Sequence, residues 1–501
     1  MPTAAATSDA PRRRRFAATG RVRSGCLTCK ARKKKCDERY TADGNRCQTC
    51  ARLSLVCERV PLRRVVPKKK PRDASRSPSP STSPSSSPLP SSDPDAGQQE
   101  TQQDEGEVET SVLTSIPAQT RANNNNGFIA LFSLENASPE RILLKYYVER
   151  LASLCSILQE GSNEFRNVLL PMAIDDSSLL YALFAYASKH LHTSDPAPFS
   201  ISPLARLKFE SEAARGLSEA IRLNNVSEST IACALICSTA EVVSGDTTRW
   251  FVHLQGAGHL INQRGGPDRL RQTSDGLFLL RNFAYHDILA ALSTGGRPRI
   301  SGIYWVEDGP ISADCLMGVA HELLGHISDI CILIADASDN DYCYEADLIH
   351  RGESLAQKLK TQPLNLRTTL SSTELGILLH HAEAFRFAGL LHLYRFLSQF
   401  SPTAYALRVS ECVEGIITHV SQVPLSFHCE VGLVFPLFMA GIAGVDDVTK
   451  TYIRNRLNNI FSWTRFEHIT RVTELLELLW ATGRTDWETM VRDLEWKVSL
   501  A

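Results

Sequence analysis

Six cysteines fall in one short stretch as Cys26-x2-Cys29-x6-Cys36-x10-Cys47-x2-Cys50-x6-Cys57, two halves with the same internal spacing. A Cys-x2-Cys pair presents two thiolates from one tight turn, and a third sulfur returns after a short helix of about six residues. Each half thus brings three sulfurs. Tetrahedral Zn²⁺ takes four, so two separate sites would be incomplete, whereas two zinc ions sharing two bridging thiolates are each four-coordinate. The expected centre is two Zn²⁺ ions on Cys26, Cys29, Cys36, Cys47, Cys50 and Cys57. A disulfide framework is the competing chemistry. It calls for an oxidising compartment, and MPTAAATSDAPRRRR shows no apolar core of a secretory signal behind its charge.

The residues between the ligands are the second clue. Lys30, Arg32, Lys33, Lys34 and Lys35 fill the stretch between two ligands in the run KARKKKC, a bias that metal storage alone does not explain. The first 72 residues hold 21 Lys and Arg against 5 Asp and Glu, a surplus of 16 that the rest of the chain reverses to a net charge of −1. A basic end of that density is a footprint for a polyanion, and the near-neutral total argues against indiscriminate nucleic-acid binding. Two Zn²⁺ and six thiolates also leave the cluster anionic, so the surrounding lysines offset a charge that would repel phosphate.

The stretches RSGCLTCKARKKKCDE and RCQTCARLSLVC, covering about residues 21 to 60, closely resemble the fungal Zn2Cys6 binuclear-cluster family of transcription regulators. The resemblance implies that Cys26 and Cys47 bridge the two metals and that the other four cysteines are terminal ligands. It also implies that the helix after the second cysteine enters the major groove of double-stranded DNA and reads a GC-rich triplet, typically CGG. Lys33 and Arg32 occupy that position, with Lys33 the leading candidate for the guanine edge. Arg23, Lys30, Lys34, Arg39, Arg46 and Arg63 are assigned to phosphates, which set register and salt dependence without reading sequence. One departure is the loop DERYTADGNR, where Gly44 stands in place of the family's usual proline. Closing a slightly longer loop costs little, so metal binding is expected to persist.

Members of that family often dimerise through a coiled coil just after the cluster. Here residues 58 to 72 read ERVPLRRVVPKKKPR, and Pro61, Pro67 and Pro71 interrupt any helix. DNA is then met by a monomer, or by a homodimer formed elsewhere in the chain. Arg12 to Arg15 and Lys68 to Lys70 fit nuclear-import signals, and the expected location is the nucleus.

The elements that carry this module follow from composition. Residues 1 to 20 read as a basic disordered arm, 21 to 60 as the zinc module, and 61 to 126 as a linker that is basic, then Ser/Pro-rich, then acidic, with almost nothing to form a core. From 127 to 501 apolar residues recur at helical spacing, as in Ile142, Leu143, Tyr146, Tyr147, Leu151 and Leu154. Leu179 to Leu191, Leu204 to Leu223, Ser229 to Val243, Leu277 to Leu292, Leu316 to Ala335, Leu375 to Phe400 and Val472 to Trp480 repeat the pattern. Pro171, Gly245-Asp246, Gly265-Gly266-Pro267, Gly295-Gly296 and Pro424 read as stops. The fold class is mainly α: a small two-zinc module, a disordered linker and a large all-helical domain. The apolar run Val434 to Val445 is too short for a bilayer and is broken by Pro436, so no membrane span is expected.

The helical region resembles the fungal-specific transcription factor domain through LLKYYVERLASLCSILQEGSNEFRNVLLPMA, GDTTRWFVHLQGAGHLINQRGG, FAYHDILAAL, CLMGVAHELL and AEAFRFAGLLHLYRF. Trp250, His253, Leu254, Ala257, Leu260 and Ile261 are spaced to form one buried face. An enzyme would need a constellation that is missing. His321-Glu322-Leu323-Leu324-Gly325-His326 resembles a zinc protease motif, but its histidines are five apart, which turns the second about 140° from the first. His380-His381 reads as partial core, and Cys233 and Cys237 as core thiols rather than a metal or redox pair. The expectation is a DNA-binding regulator of RNA polymerase II transcription acting on the transcription machinery. It reads as a pathway-specific activator of metabolic or secondary-metabolite genes; a repressor or interaction scaffold is the alternative.

Overall fold

The computed structural model describes Cys36 and residues 47–53, 138–158, 163–194, 201–300, 313–339, 344–364 and 370–501. The chain divides into two units, Met1–Thr101 and Gln102–Ala501. In the first, Gln48–Arg52 forms a short helix, α1. The expected linker, residues 61 to 126, lies outside the described residues.

The second unit is helical throughout its described residues, and its only departure toward sheet there is an isolated bridge between Asp314 and Gly318. It opens with α2 (Pro139–Tyr146), where Pro139 sits at the first helical position and the Ser138 hydroxyl accepts the Arg141 amide at 3.2 Å. Both features satisfy a helix start that has no partner of its own. A π-helical stretch, Tyr147–Leu151, follows directly. Its wider turn keeps Leu143, Tyr147, Leu151 and Leu154 on the buried side.

Next come α3 (Glu164–Asn167), α4 (Leu169–Asp175), α5 (Ser177–Ser194) and α6 (Pro203–Arg222). Then follow α7 (Glu228–Val243), α8 (Arg249–Gln263), α9 (Pro267–Leu270) and α10 (Ser274–Thr294). The start of α7 is closed by a reciprocal Ser227–Thr230 capping box. α5 packs against α6 and α7, and α7 against α8. The second half holds α11 (His321–Asp339), α12 (Glu345–Thr361), α13 (Ser372–Leu397) and α14 (Pro402–Ser421). It ends with a 3-10 turn, His428–Leu433, and α15 (Val434–Gly441), α16 (Asp447–Thr464), α17 (His468–Thr482) and α18 (Trp487–Asp493). α13 and α14 run side by side, and α15, buried at every position, lies under both.

Three sequence expectations are corrected. Pro171 does not stop a helix: it is the third residue of α4, as Pro436 is the third of α15, where the missing N–H would have had no helical acceptor. The helix expected from Leu316 begins at His321, because residues 314–318 close a turn in which the Asp314 and Gly318 amides and carbonyls exchange bonds of 3.0 and 2.7 Å. His253 is half-buried rather than part of the core face, while Trp250, Leu254, Ala257, Leu260 and Ile261 are buried as the periodicity requires.

The two ends of the helical unit are tied together. His190 Nε2 donates to the Thr464 carbonyl at 2.7 Å, which leaves Nδ1 to accept the Tyr146 hydroxyl at 2.8 Å. Trp250 Nε1 donates to the Lys497 carbonyl at 2.7 Å, and the Lys497 amide donates to Thr247 at 2.6 Å.

Candidate metal centre and interior of the helical domain

Of the six expected zinc ligands, Cys36, Cys47 and Cys50 fall among the described residues. Cys26, Cys29 and Cys57, and the DNA contacts Arg23, Lys30, Arg32, Lys33, Lys34, Lys35, Arg39 and Arg46, lie outside them. Cys47 and Cys50 are fully buried. Cys47 takes the N-cap position of α1, and its sulfur accepts the Cys50 amide at 3.4 Å. The turn therefore fits a metal-bound thiolate pair, two sulfurs presented from one tight loop.

Of the remaining cysteines within the described residues, Cys233, Cys315, Cys331, Cys412 and Cys429 are buried, while Cys155 and Cys237 are half-buried against the core. Burial raises the thiols of Cys155, Cys331 and Cys412 to about 12, too high for a reactive thiolate. Cys233 is buried on α7 with its sulfur 3.6 Å from the Ser178 carbonyl. Among the described residues no group of three or more His, Cys, Asp or Glu side chains is placed to hold a metal.

The protease-like pair is separated as its spacing requires. His321 is buried with Nδ1 3.2 Å from the Gly318 carbonyl, while His326 Nε2 meets Gln362, the C-cap of α12, at 3.0 Å. His381 is fully buried against Phe385, their rings 4.9 Å apart, and burial lowers its pKa to about 3. His380, its neighbour in sequence, instead faces His419 across the α13–α14 seam.

Two buried ion pairs escaped sequence reading, because an isolated charge in a helical pattern looks solvated. Lys189 of α5 lies 2.7 Å from Glu241 of α7, and Arg456 of α16 lies 2.8 Å from the fully buried Glu430. Arg456 also donates to the Val423 carbonyl at 2.6 Å, and Asn459 and the Ser426 amide bond the carboxylate. His253 lies where Lys189, Glu241, Asp246 and Arg249 act on it, and burial lowers its pKa. No helix among the described residues is long and apolar enough to cross a membrane.

The described residues of the large unit are helical, and the chain also bears the basic cysteine module. Residues 142–501 match the family described as the fungal specific transcription factor domain, and the chain belongs to it. It is a transcription regulator. An uncharacterised transcriptional regulatory protein of Schizosaccharomyces pombe is 24% identical over 376 residues, covering 71% of this chain and 70% of that protein. The transcriptional activator protein UGA3 of Saccharomyces cerevisiae is 23% identical over 306 residues, covering 53% of each chain. No solved structure matches significantly.

Proposed function

We propose that this regulator binds double-stranded DNA in the nucleus through a two-zinc, six-cysteine cluster that reads CGG-type triplets, and that it activates genes of a metabolic or secondary-metabolite pathway. The observation that carries this reading is the duplicated cysteine spacing, with its Cys47–Cys50 turn capped on sulfur. Cys26, Cys29, Cys36, Cys47, Cys50 and Cys57 would hold the metals, and zinc would supply the cross-links that a module of this size lacks in apolar core. Lys33, with Arg32, would donate to guanine, while Arg23, Lys30, Lys34, Lys35, Arg39 and Arg46 would meet phosphates or offset the cluster's charge. Activation, rather than repression, is supported by the likeness to an activator.

Native mass spectrometry of the full chain, together with anisotropy titrations on CGG-containing and scrambled duplexes over a salt series, tests the proposal. Two zinc ions and a CGG preference that Lys33→Ala removes are the expected results. One zinc or none, or equal binding to both duplexes, would leave a basic metal-binding tail and overturn the DNA-reading role.

A further inference from the structure

The seam between α13 and α14 carries a second group of potential metal ligands, unrelated to the cysteines. His380 of α13 and His419, in the last turn of α14, are both half-buried, and their Nδ1 atoms are 3.0 Å apart. Phe387, two turns further along α13, stacks on the His419 ring at 5.6 Å and an interplanar angle of 26°. It can do so because Gly415, one turn before His419, has no side chain: a Cβ there would fall 2.7 Å from the Phe387 ring. His419 is therefore held on one face by an aromatic ring that a larger residue at position 415 would displace. Glu383, one turn past His380, acts electrostatically on His419, and Arg386 engages both its carboxylate oxygens at 2.9 and 3.2 Å.

With both rings neutral, one Nδ1–H donates to the other Nδ1. The same spacing suits a shared cation. Two nitrogens 3.0 Å apart, each about 2.0–2.1 Å from a metal, subtend about 91–97° at it, whereas tetrahedral coordination would need about 3.3–3.4 Å between them. A near-right angle is the geometry of square-planar and tetragonal ions.

We propose that His380 and His419 form a site for a divalent transition metal of tetragonal preference, Ni²⁺ or Cu²⁺ rather than Zn²⁺, which pins α13 to α14 with water in its remaining positions. Metal binding requires the donor ring to move its proton from Nδ1 to Nε2 and both rings to turn their Nδ1 lone pairs from the N–N axis toward the ion. The site is independent of the DNA-binding proposal.

The test uses the full chain loaded with Zn²⁺, so that its thiolates are occupied, titrated with Ni²⁺ by equilibrium dialysis and followed by thermal melting. His380→Gln and His419→Gln keep hydrogen-bonding capacity at each position while removing an imidazole ligand, and circular dichroism checks their folding. The expected result is one Ni²⁺ more on the parent chain than on either variant, affinity at least about tenfold weaker in both, and a melting rise with Ni²⁺ that further Zn²⁺ does not match. Equal Ni²⁺ uptake by the parent and both variants would overturn the site. A Zn²⁺ effect equal to that of Ni²⁺ would overturn its geometry.

Discussion

The cysteine module and the helical domain solve the problem of stability in opposite ways. Around Cys47 and Cys50 the described residues offer a five-residue helix and two fully buried sulfurs. The helical domain instead buries Trp250, Trp487, Phe283, Phe385, Phe435 and Phe438 in one continuous core. On the proposed two-zinc reading, the first kind of stability would depend on the metal and on thiolate chemistry; the second depends on packing and on keeping buried polar groups partnered or neutral.

Removing one ligand should separate the two regions most sharply. Cys47→Ser, or a strong chelator, is expected to abolish specific DNA binding, because structural zinc supplies about 10–16 kcal/mol to small modules. The melting of the helical domain should not change. A shift in that melting would show the regions to be coupled and break the comparison. Phe438→Ala reverses the effect: the ring packs edge-on against Trp487 at 5.2 Å, and its loss should cost about 3–5 kcal/mol in denaturant melts. Zinc content should be unaffected.

Lys33→Ala should lose about 1–3 kcal/mol on CGG duplexes and little on scrambled ones, whereas Lys34→Ala should weaken both alike and flatten the salt dependence. Equal losses on both duplexes from Lys33→Ala would reassign that residue to phosphate.

Acid should weaken both regions, for different reasons. Burial lowers His190 to about 4 and His381, His392 and His468 to about 3, against about 6.5 in the unfolded chain. Between those values the unfolded chain binds more protons, so stability present above pH ~6.5 is lost as pH falls toward the folded values, by up to about 1.4 kcal/mol per pH unit for each histidine. Excess zinc should rescue the module in mild acid, where protons compete for thiolate, and leave the domain's pH profile unmoved. At the small end, Trp250→Phe keeps most of the packing but loses the bond to the Lys497 carbonyl, worth about 1 kcal/mol. No change in melting would mean that the C-terminal tie contributes nothing.

Much of this organisation was legible in the residues. Leu179 to Leu191, Ser229 to Val243 and Leu277 to Leu292 all lie within helices, since a buried helix needs only apolar side chains at the right spacing. The errors arose where position within an element matters more than residue type. Pro171 looks like a breaker until its place in the first turn of α4 is known, and Leu316 looks helical although Asp314 and Gly318 close a turn around it. His380 and His381 differ by one position and share one composition signal, yet one lies deep in the core and the other faces His419.

By itself the sequence determined the helical class of the large domain and the spacing of six thiols, because periodicity and ligand spacing are properties of neighbours along the chain. Only the tertiary structure decided that Tyr146, His190 and Thr464 join, that Glu430 buries against Arg456, and that His380 meets His419. Each of those contacts joins residues brought together by helix packing, and a buried polar group's partner is chosen by that packing rather than by anything written beside it.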